Sequence, residues 1–392
     1  MHQKTILCVA SYFKGARFIQ AAKAQGWRVL LLTSHSIKNE PWPWASIDDV
    51  FYIADDKHKW HMPDVIKGVS HLARKEKLDK IVPLDDLDVE KAAELREHLR
   101  IPGLGATQTR FFRDKLAMRE RAQAHNILVP PFTHALHYQT VTDFASRVPG
   151  PWVVKPRSEA GSMGIKKVYT TEELWAVIHS LGDEQSNFLI EQFIPGDIFH
   201  VDSIFVNGKA IFQLVHQYEN PPLAVTQGGG VFCSHNVLYK SEVDKALREY
   251  NKTIQKTMGL KNGVAHTEFI KAHADGQFYF LETAARVGGA HIADMIEASA
   301  GINLWEEWGK LECLHEDEQY QLPKIRKEYG GILITLSKVE HPDYSAYTDP
   351  EIVWRMHDNR YHAGLIVRST DLERVKSLLD GFSERFRDDF CA

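Results

Sequence analysis

Two glutamates, one in the middle of an apolar segment and one near the end of the next, have the residue type and spacing of a divalent-metal site. Glu268 lies within "GVAHTEFIKA" and Glu282 within "GQFYFLETA". The polar residues between the segments predict a β-hairpin, in which both carboxylates would lie on one face. Like charges side by side are unfavourable unless a cation bridges them, and Mg²⁺ prefers carboxylate oxygens together with substrate phosphates. The alternative is two unrelated surface acids, but exposed strands alternate more regularly than these apolar segments do.

Arg286 follows the second glutamate in "LETAARVGGAH" and could bind an anion. Its guanidinium is a rigid fork that suits a carboxylate or a tetrahedral oxyanion. We expect Gly288 and Gly289 to open a helix and to add backbone N–H groups at an N-terminus that favours anions. The alternative for Arg286 is a surface ion pair, which contributes little. His291, in the same segment, either assists proton removal from an amine or simply packs.

A lysine followed by a glycine-rich loop predicts a polyphosphate site. In "PWVVKPRSEAGSMGIKKV", Lys155 ends one predicted strand, and a Gly/Ser loop leads into the next. A lysine charge and mobile backbone N–H groups suit phosphate oxygens, which Gly161 and Gly164 allow the backbone to approach closely. The alternative is a hairpin loop with an exposed lysine.

The segment "LIEQFIPGD" has features of an adenine site. Adenine needs an apolar slot, here Phe193 and Ile194, and an acceptor for its amino group, here Glu191. Asp197 is predicted to reach a ribose hydroxyl. The alternative is a strand edge with a surface carboxylate.

The elements that position these residues fall into two patterns. Near the N-terminus, "TILCVA", "FKGARFIQAAKAQG" and "WRVLLLTS" alternate strand, helix and strand, which predicts a parallel sheet covered by helices. The turn after the first strand lacks GxGxxG, so a dinucleotide site is not expected. Asp85 and Asp86 follow a later strand of this sheet, where they hold a substrate amine or cap a helix.

Beyond a predicted boundary near Ala106 the pattern becomes α+β. We predict a helix at about 110–124, a hairpin turning at Asn207–Gly208 and a helix at about 241–258. The tail, from about 330, is predicted as strand, strand and helix. Residues 218–235 are predicted to form a long loop, which is either a mobile cover for a substrate or a plain connector.

Composition narrows the function classes. The chain has 392 residues, 44% of them hydrophobic, and a formal net charge of -5, which predicts two or three domains and argues against a nucleic-acid binder. Its four cysteines show no zinc spacing, and a disulfide framework is not expected, so a reduced cytoplasm fits best. The apolar N-terminal core is too short for a signal peptide or a membrane span. The histidine-containing segment 55–64 is predicted to be a solvated loop rather than a metal site.

The order of these motifs resembles the ATP-grasp superfamily, in a layout similar to the carboxylate–amine ligases and to biotin carboxylase. The resemblance implies a Rossmann-like domain at 1–106 and a two-lobed ATP-grasp domain at 107–325 with a mobile lid at about 126–192. It also implies a small α+β region at 326–392. The overall class is then α/β and α+β, with ATP bound between the two lobes.

The resemblance also assigns ligand contacts. They are phosphate contacts at Lys115 and Lys155, a flap at Gly161, Ser162 and Gly164, an adenine site at Glu191, Phe193 and Ile194, Mg²⁺ ligands at Glu268 and Glu282 with Mn²⁺ as an alternative ion, and Arg286 facing the reacting group.

Two positions depart from the family pattern. An asparagine that usually ligates Mg²⁺ is replaced by Ala284, so a second ion would rely on Glu282 alone, on water or on Thr283. The acid that usually contacts the ribose falls at Ile198, with Asp197 next to it as a substitute.

The family chemistry implies that a carboxylate attacks the γ-phosphate of ATP and that an amine then displaces phosphate from the acyl phosphate. The expected partners are a small-molecule carboxylate and an amine, with no nucleic acid and no membrane, and a homodimer is the default assembly. One alternative is a biotin-carboxylase-like subunit that uses bicarbonate; the chain has no MKM biotinylation motif, so a carrier partner would be required. The other is a non-catalytic ATP-binding module, suggested by Ala284.

Overall fold

The computed structural model describes residues 3–161, 163–315 and 318–391, with residues 224, 226 and 227 described by their backbone only. Ser162, one of the predicted flap residues, lies outside the described residues. The described chain forms three sheets, two of four strands and one of eight. Within these residues no helix has the length and apolar character needed to cross a membrane.

The first sheet is parallel and N-terminal. Its strand order is β3-β2-β1-β4, and every neighbouring pair is parallel. The elements are β1 Thr5–Ala10, α1 Ala16–Ala24, β2 Arg28–Ser34, β3 Asp49–Ile53, α2 Met62–Leu72, β4 Lys80–Pro83 and α3 Val89–Leu99. The predicted parallel sheet is therefore confirmed. The predicted loop at 55–64 is wrong at its end, because α2 already begins at Met62.

The small antiparallel sheet has the order β5-β8-β6-β7. Helices α6 and α7 supply its apolar cover, with Val141, Phe144, Leu174 and Ile178 buried against the sheet. The elements leading into and through it are α4 Ala106–Thr109, α5 Lys115–Gln123, β5 Phe132–His134, α6 Tyr138–Arg147, β6 Trp152–Pro156, β7 Lys166–Val168, α7 Thr171–Ser180 and β8 Phe188–Gln192. The predicted helix at about 110–124 begins later, at Lys115, because residues 110–112 form a 3₁₀ turn.

The large antiparallel sheet has the order β13-β12-β9-β10-β11-β14-β16-β15. Its elements are β9 Gly196–Val206, β10 Lys209–Tyr218, α8 Pro222–Gly228, β11 Phe232–Asn236, α9 Glu242–Met258, β12 Gly263–Ala272, β13 Phe278–Ala284, α10 Ile292–Ala300, α11 Leu304–Glu312, β14 Tyr329–Leu336, β15 Ile352–Arg355, β16 His362–Ser369 and α12 Leu372–Asp389. Both predicted hairpins are confirmed. Asn207 and Gly208 have φ values of 50° and 73°, as a tight hairpin turn requires.

The predicted long loop at 218–235 is wrong. Strand β10 reaches Tyr218, α8 occupies 222–228, and β11 begins at Phe232. β11 pairs with β10 and with β14, so the tail strands continue the large sheet. The loops that join β10, α8 and β11 are therefore only three residues long each.

Candidate nucleotide and metal site

A cleft of about 360 Å³ lies between the small sheet and the large sheet. Among the predicted site residues, those that line it are Lys115, Lys155, Gly161, Glu191, Phe193, Ile194, Glu268 and Glu282. Much of the remaining lining is apolar, including Val153, Ile165, Ile198, Ile270 and Leu281. Apolar walls with a few convergent charged groups are typical of a small-molecule site.

Glu191 lies at the floor of the cleft between two cations. One carboxylate oxygen is 2.6 Å from Lys155 Nζ, and the other is 2.6 Å from Arg119 Nε. Burial alone would raise the pKa of Glu191, but Arg119 and Lys155 outweigh it and hold this pKa below its ordinary value. Because both oxygens face cations, Glu191 orients Lys155 in the cleft; its predicted contact with the adenine amino group stays a prediction.

Lys155 loses its proton at a lower pH than an ordinary lysine. Burial lowers its pKa to about 8; Glu191 opposes this change, while Arg119 adds to it. Arg119, which the sequence analysis missed, has no exposed surface, and its guanidinium lies 5.8 Å from the Phe280 ring. The signal for Arg119 was its position four residues after Lys115, which places both on one face of α5.

The two predicted metal ligands are direct neighbours. Glu268 on β12 pairs in register with Glu282 on β13, and both line the cleft. Lys115 Nζ lies 2.9 Å from Glu282 Oε2, and Tyr218 donates its hydroxyl to Glu268 Oε1 at 3.0 Å. The Glu282 side chain is 33% exposed and that of Glu268 is 19% exposed, so both can reach a ligand in the cleft.

The charge on Glu282 is maintained by its neighbours. Burial alone would raise its pKa, but Lys115 and Lys155 outweigh that effect and lower it. Two carboxylates on one face form a donor set that fits Mg²⁺ or Mn²⁺. Thr283, suggested as an additional ligand, does not fit, because its hydroxyl lies 2.8 Å from the amide nitrogen of Gln255 in the buried interior.

Arg286 does not stand alone at the end of β13. One terminal nitrogen bonds Asp86, and the other donates to the Val287 carbonyl at 2.8 Å. Burial would raise the pKa of Asp86, but Arg286 outweighs it and lowers this pKa to about 2. Asp85 instead accepts from the backbone N–H of Leu87, so capping is the role that the structure gives to the first aspartate.

The predicted roles of Gly288 and Gly289 at a helix N-terminus are wrong. Helix α10 begins at Ile292, with His291 as its N-cap. Ala290 and His291 both have positive φ, so the chain turns before the helix starts. Gly288 has a different role: an added Cβ would lie 2.9 Å from His266 Nδ1, so only glycine allows this close approach.

His291 packs, as one of its two interpretations predicted. Its ring lies 4.8 Å from that of Trp354, and its Nδ1 is 2.8 Å from Asp294. The structure thus gives this side chain a place in the packing of α10 against the large sheet.

Asp197 does not line the cleft, and its predicted contact with a ribose stays a prediction. Alternation along β9 places Ile198 in the cleft and Asp197 on the opposite face, where it lines a separate cavity. Its carboxylate lies 3.2 Å from His273 Nε2.

The two flap glycines differ. Gly161 lines the cleft, whereas Gly164 packs on the preceding strand, where an added Cβ would lie 2.9 Å from Pro156 Cγ. Both have positive φ, 65° and 71°, which favours glycine.

A buried histidine cluster, which the sequence analysis missed, lies beneath Glu268. Asp202 Oδ1 is 2.8 Å from His266 Nδ1, and Asp202 Oδ2 is 2.7 Å from His200 Nδ1. Burial would lower the pKa of His266, but Asp202 outweighs it and raises this pKa to about 10. His200 Nε2 is also bonded, at 2.8 Å from the Ser234 hydroxyl. These contacts make the cluster a hydrogen-bond network that supports the strand carrying Glu268.

Comparison with known proteins agrees with this geometry. A family model described as "ATP-grasp domain" matches residues 148–294. Residues 148–294 therefore resemble an ATP-grasp domain. The matched range covers Lys155, the glycine loop, Glu191 and the two glutamates predicted to bind the metal.

Curated relatives carry ligase names. The chain is 25% identical over 237 residues to an L-arginine-specific L-amino acid ligase of Bacillus subtilis, covering 58% of this chain and 56% of that protein. It is 34% identical over 108 residues to a D-alanine--D-alanine ligase of Ralstonia pickettii, covering 26% and 32%. The alignments thus span about half and a third of those relatives' lengths.

Solved structures show the same fold along the whole chain. An L-amino acid ligase from Bacillus licheniformis superposes with a TM-score of 0.77 at 19% identity, covering 100% of this chain and 98% of that one. A biotin carboxylase from Campylobacter jejuni gives a TM-score of 0.70 at 16% identity, covering 99% and 92%. The N-terminal parallel sheet and the tail therefore belong to the same architecture as the ATP-grasp domain.

Proposed function

We propose that the chain is an ADP-forming ligase that activates a small-molecule carboxylate as an acyl phosphate and joins it to an amine. The observation that carries the proposal is the in-register pair of Glu268 and Glu282 in the cleft that also holds Lys115 and Lys155. The names of the curated relatives, an L-amino acid ligase and a D-alanine--D-alanine ligase, support this reaction class.

The proposed reaction has two steps. A carboxylate oxygen of the substrate attacks the γ-phosphorus of ATP, a bond between that oxygen and phosphorus forms, and the bond to the β–γ bridging oxygen breaks to release ADP. The amine lone pair then attacks the carbonyl carbon, inorganic phosphate leaves with the C–O electron pair, and the nitrogen loses a proton to solvent.

The protein contributes mainly position and charge. Lys115 and Lys155 neutralise the charge that spreads over the transferring phosphoryl group, which is where most of the catalytic effect of such sites arises. Glu268 and Glu282 would hold Mg²⁺ or Mn²⁺, which supplies further neutralisation when bound. Glu191 keeps Lys155 oriented, and Arg286 lies at the far side of Glu282, next to the proposed acid substrate.

The test is phosphate release from ATP with a panel of amino acids and other small carboxylates, alone and in pairs. Glu282→Gln should abolish release while the Kd for ADP measured without metal changes less than about threefold, because adenine contacts lie elsewhere in the cleft. Glu249→Gln is the matched control: Glu249 is an exposed helix residue paired with Lys252, and this change should leave release unaltered. If Glu282→Gln releases phosphate at the normal rate, the metal assignment is wrong.

A nucleotide-binding module without turnover is the second candidate, and Ala284 favours it. Alanine offers no oxygen where the family pattern has an asparagine ligand, so one ion would have fewer protein ligands. ATP binding with no phosphate release for any pairing of the panel would support the module. Bicarbonate-dependent ADP release that requires an added biotin carrier would instead support a biotin-carboxylase-like subunit.

A further inference from the structure

A second, smaller cavity adjoins the nucleotide cleft. It has a volume of about 20 Å³, room for about one water molecule. It shares Lys115, Glu159 and Glu282 with the cleft, and its own lining includes Asp86, Arg113, His266 and Arg286. The two spaces therefore meet at the residues proposed to hold the transferring phosphate.

The cations around this small cavity differ in their partners. Asp86 is paired with Arg286, and Glu282 is paired with Lys115. Arg113 is 5% exposed, yet among the residues that the structure describes its guanidinium forms no hydrogen bond and no ion pair, and its Nε is fully buried without a partner. Arg113 is thus a buried cation that lacks a hydrogen-bonding partner, although its charge also acts on nearby Asp86.

An unpartnered buried charge is costly to a folded protein, since it has lost water and gained nothing in return. Neutralisation by proton loss is closed to arginine, which stays charged in proteins. Such a residue is expected where a ligand of opposite charge completes the site, and its planar fork matches a carboxylate.

We propose that Arg113 binds the carboxylate of the acid substrate in the small cavity and presents one of its oxygens to the γ-phosphate at the junction of the two spaces. The inference rests on the proposed function and names the group that receives the substrate. Arg286, whose two terminal nitrogens are already bonded, then mainly fixes Asp86 and the cavity wall.

The position of Arg113 favours a carboxylate over a phosphate. Arg113 does not line the nucleotide cleft, whereas Lys115 and Lys155 do and already face the phosphate side. The cavity has room for one group about the size of a water molecule, so one carboxylate oxygen can enter it while the other oxygen and the rest of the acid stay at the junction with the cleft.

The test compares Arg113→Gln and Arg113→Lys with Arg110→Gln as the matched control, because Arg110 is exposed and begins the 3₁₀ turn that Arg113 directly follows. With the acid that gives the fastest phosphate release, Arg113→Gln should raise its KM at least tenfold and Arg113→Lys less. The Kd for MgADP should change less than twofold in all three. An unchanged KM for the acid overturns the proposal.

Two further measurements distinguish this proposal from a structural role and from a phosphate-binding role for Arg113. Arg113→Gln should have a Tm equal to or above that of the wild type, since it removes a buried charge that has no hydrogen-bonding partner; a lower Tm with an unchanged KM for the acid means a structural role. A weaker Kd for orthovanadate in the presence of MgADP, with an unchanged KM for the acid, assigns Arg113 to the phosphate instead.

Binding of the acid can be tested without turnover. If no acid yields phosphate, the proposed function fails, but the same amino acids and small carboxylates can still be titrated against the MgADP complex by calorimetry. Acid binding by the wild type that is lost in Arg113→Gln then still supports the subsite. Absence of acid binding by the wild type, or equal binding by both proteins, overturns it.

Discussion

Asp86 and Arg286 are 200 residues apart in the chain and form an ion pair beside the proposed phosphate site. Asp86 follows β4 of the parallel sheet, and Arg286 follows β13 of the large sheet. The pair therefore connects the N-terminal sheet to the large antiparallel sheet at the place where the acid substrate is proposed to bind.

The Asp86–Arg286 pair predicts a pH-dependent contribution to stability. A carboxyl pKa lowered from 3.8 to about 2 contributes about 2 kcal/mol above pH 4, and this contribution is lost as pH falls toward 2. Asp86→Asn should lower the free energy of unfolding at pH 7 by about 3 kcal/mol, because Arg286 is left buried without its partner. Urea unfolding at several pH values measures both proteins, and a difference that does not shrink below pH 4 would contradict the assigned cause.

Lys155 predicts a pH dependence of nucleotide binding. Its pKa of about 8 means that the free protein loses this positive charge as pH rises through 8, whereas bound phosphate favours the charged form. We expect the Kd for ADP without metal to rise by about tenfold between pH 7.5 and pH 9.5, with proton uptake on binding above pH 8. Calorimetry in buffers of different ionisation enthalpy measures that uptake, and Lys155→Met should abolish it.

The residues that sequence reasoning located correctly share a local signal. The turn at Asn207–Gly208 and the two segments around Glu268 and Glu282 are short-range patterns, since a hairpin is decided by its turn and by neighbouring apolar residues. Strand β3 was missed because its five residues are only partly buried and show no clear alternation. β11 was missed because three consecutive glycines, which are typical of a loop, precede it.

The errors and omissions at the site needed tertiary information. Asp197 and Ile198 are adjacent, and a strand register that differs by one residue moves a side chain to the other face of the sheet. Arg113, Arg119 and Asp202 carry no motif of their own; what makes each distinctive is a partner, or a missing partner, on a segment far away in the chain. Such relationships are set by packing, which a single sequence does not display.

Arg119 predicts a test of how the cleft floor is organised. Arg119→Met removes one of two cations from Glu191, and the remaining buried carboxylate then relies on Lys155 alone. We expect a loss of about 3 kcal/mol in unfolding free energy. We also expect weaker ADP binding, because Glu191, with Arg119 gone, competes more strongly with phosphate for Lys155. The double variant Arg119→Met/Glu191→Gln should recover part of the stability, and additive losses in this cycle would contradict the coupling.

The glutamate pair predicts metal binding that can be measured without turnover. Mn²⁺ in the presence of ADP should bind to the wild type with loss of the free-ion EPR signal, and Glu268→Gln should weaken this binding at least tenfold because one carboxylate ligand is removed.

Ala284→Asn should strengthen Mn²⁺ binding, since the amide adds an oxygen beside Glu282. Chelation by EDTA should stop phosphate release, and excess Mg²⁺ should restore it. Equal Mn²⁺ affinity in the wild type and Glu268→Gln would place the ion elsewhere in the cleft. Glu249→Gln is the control for a general change in surface charge.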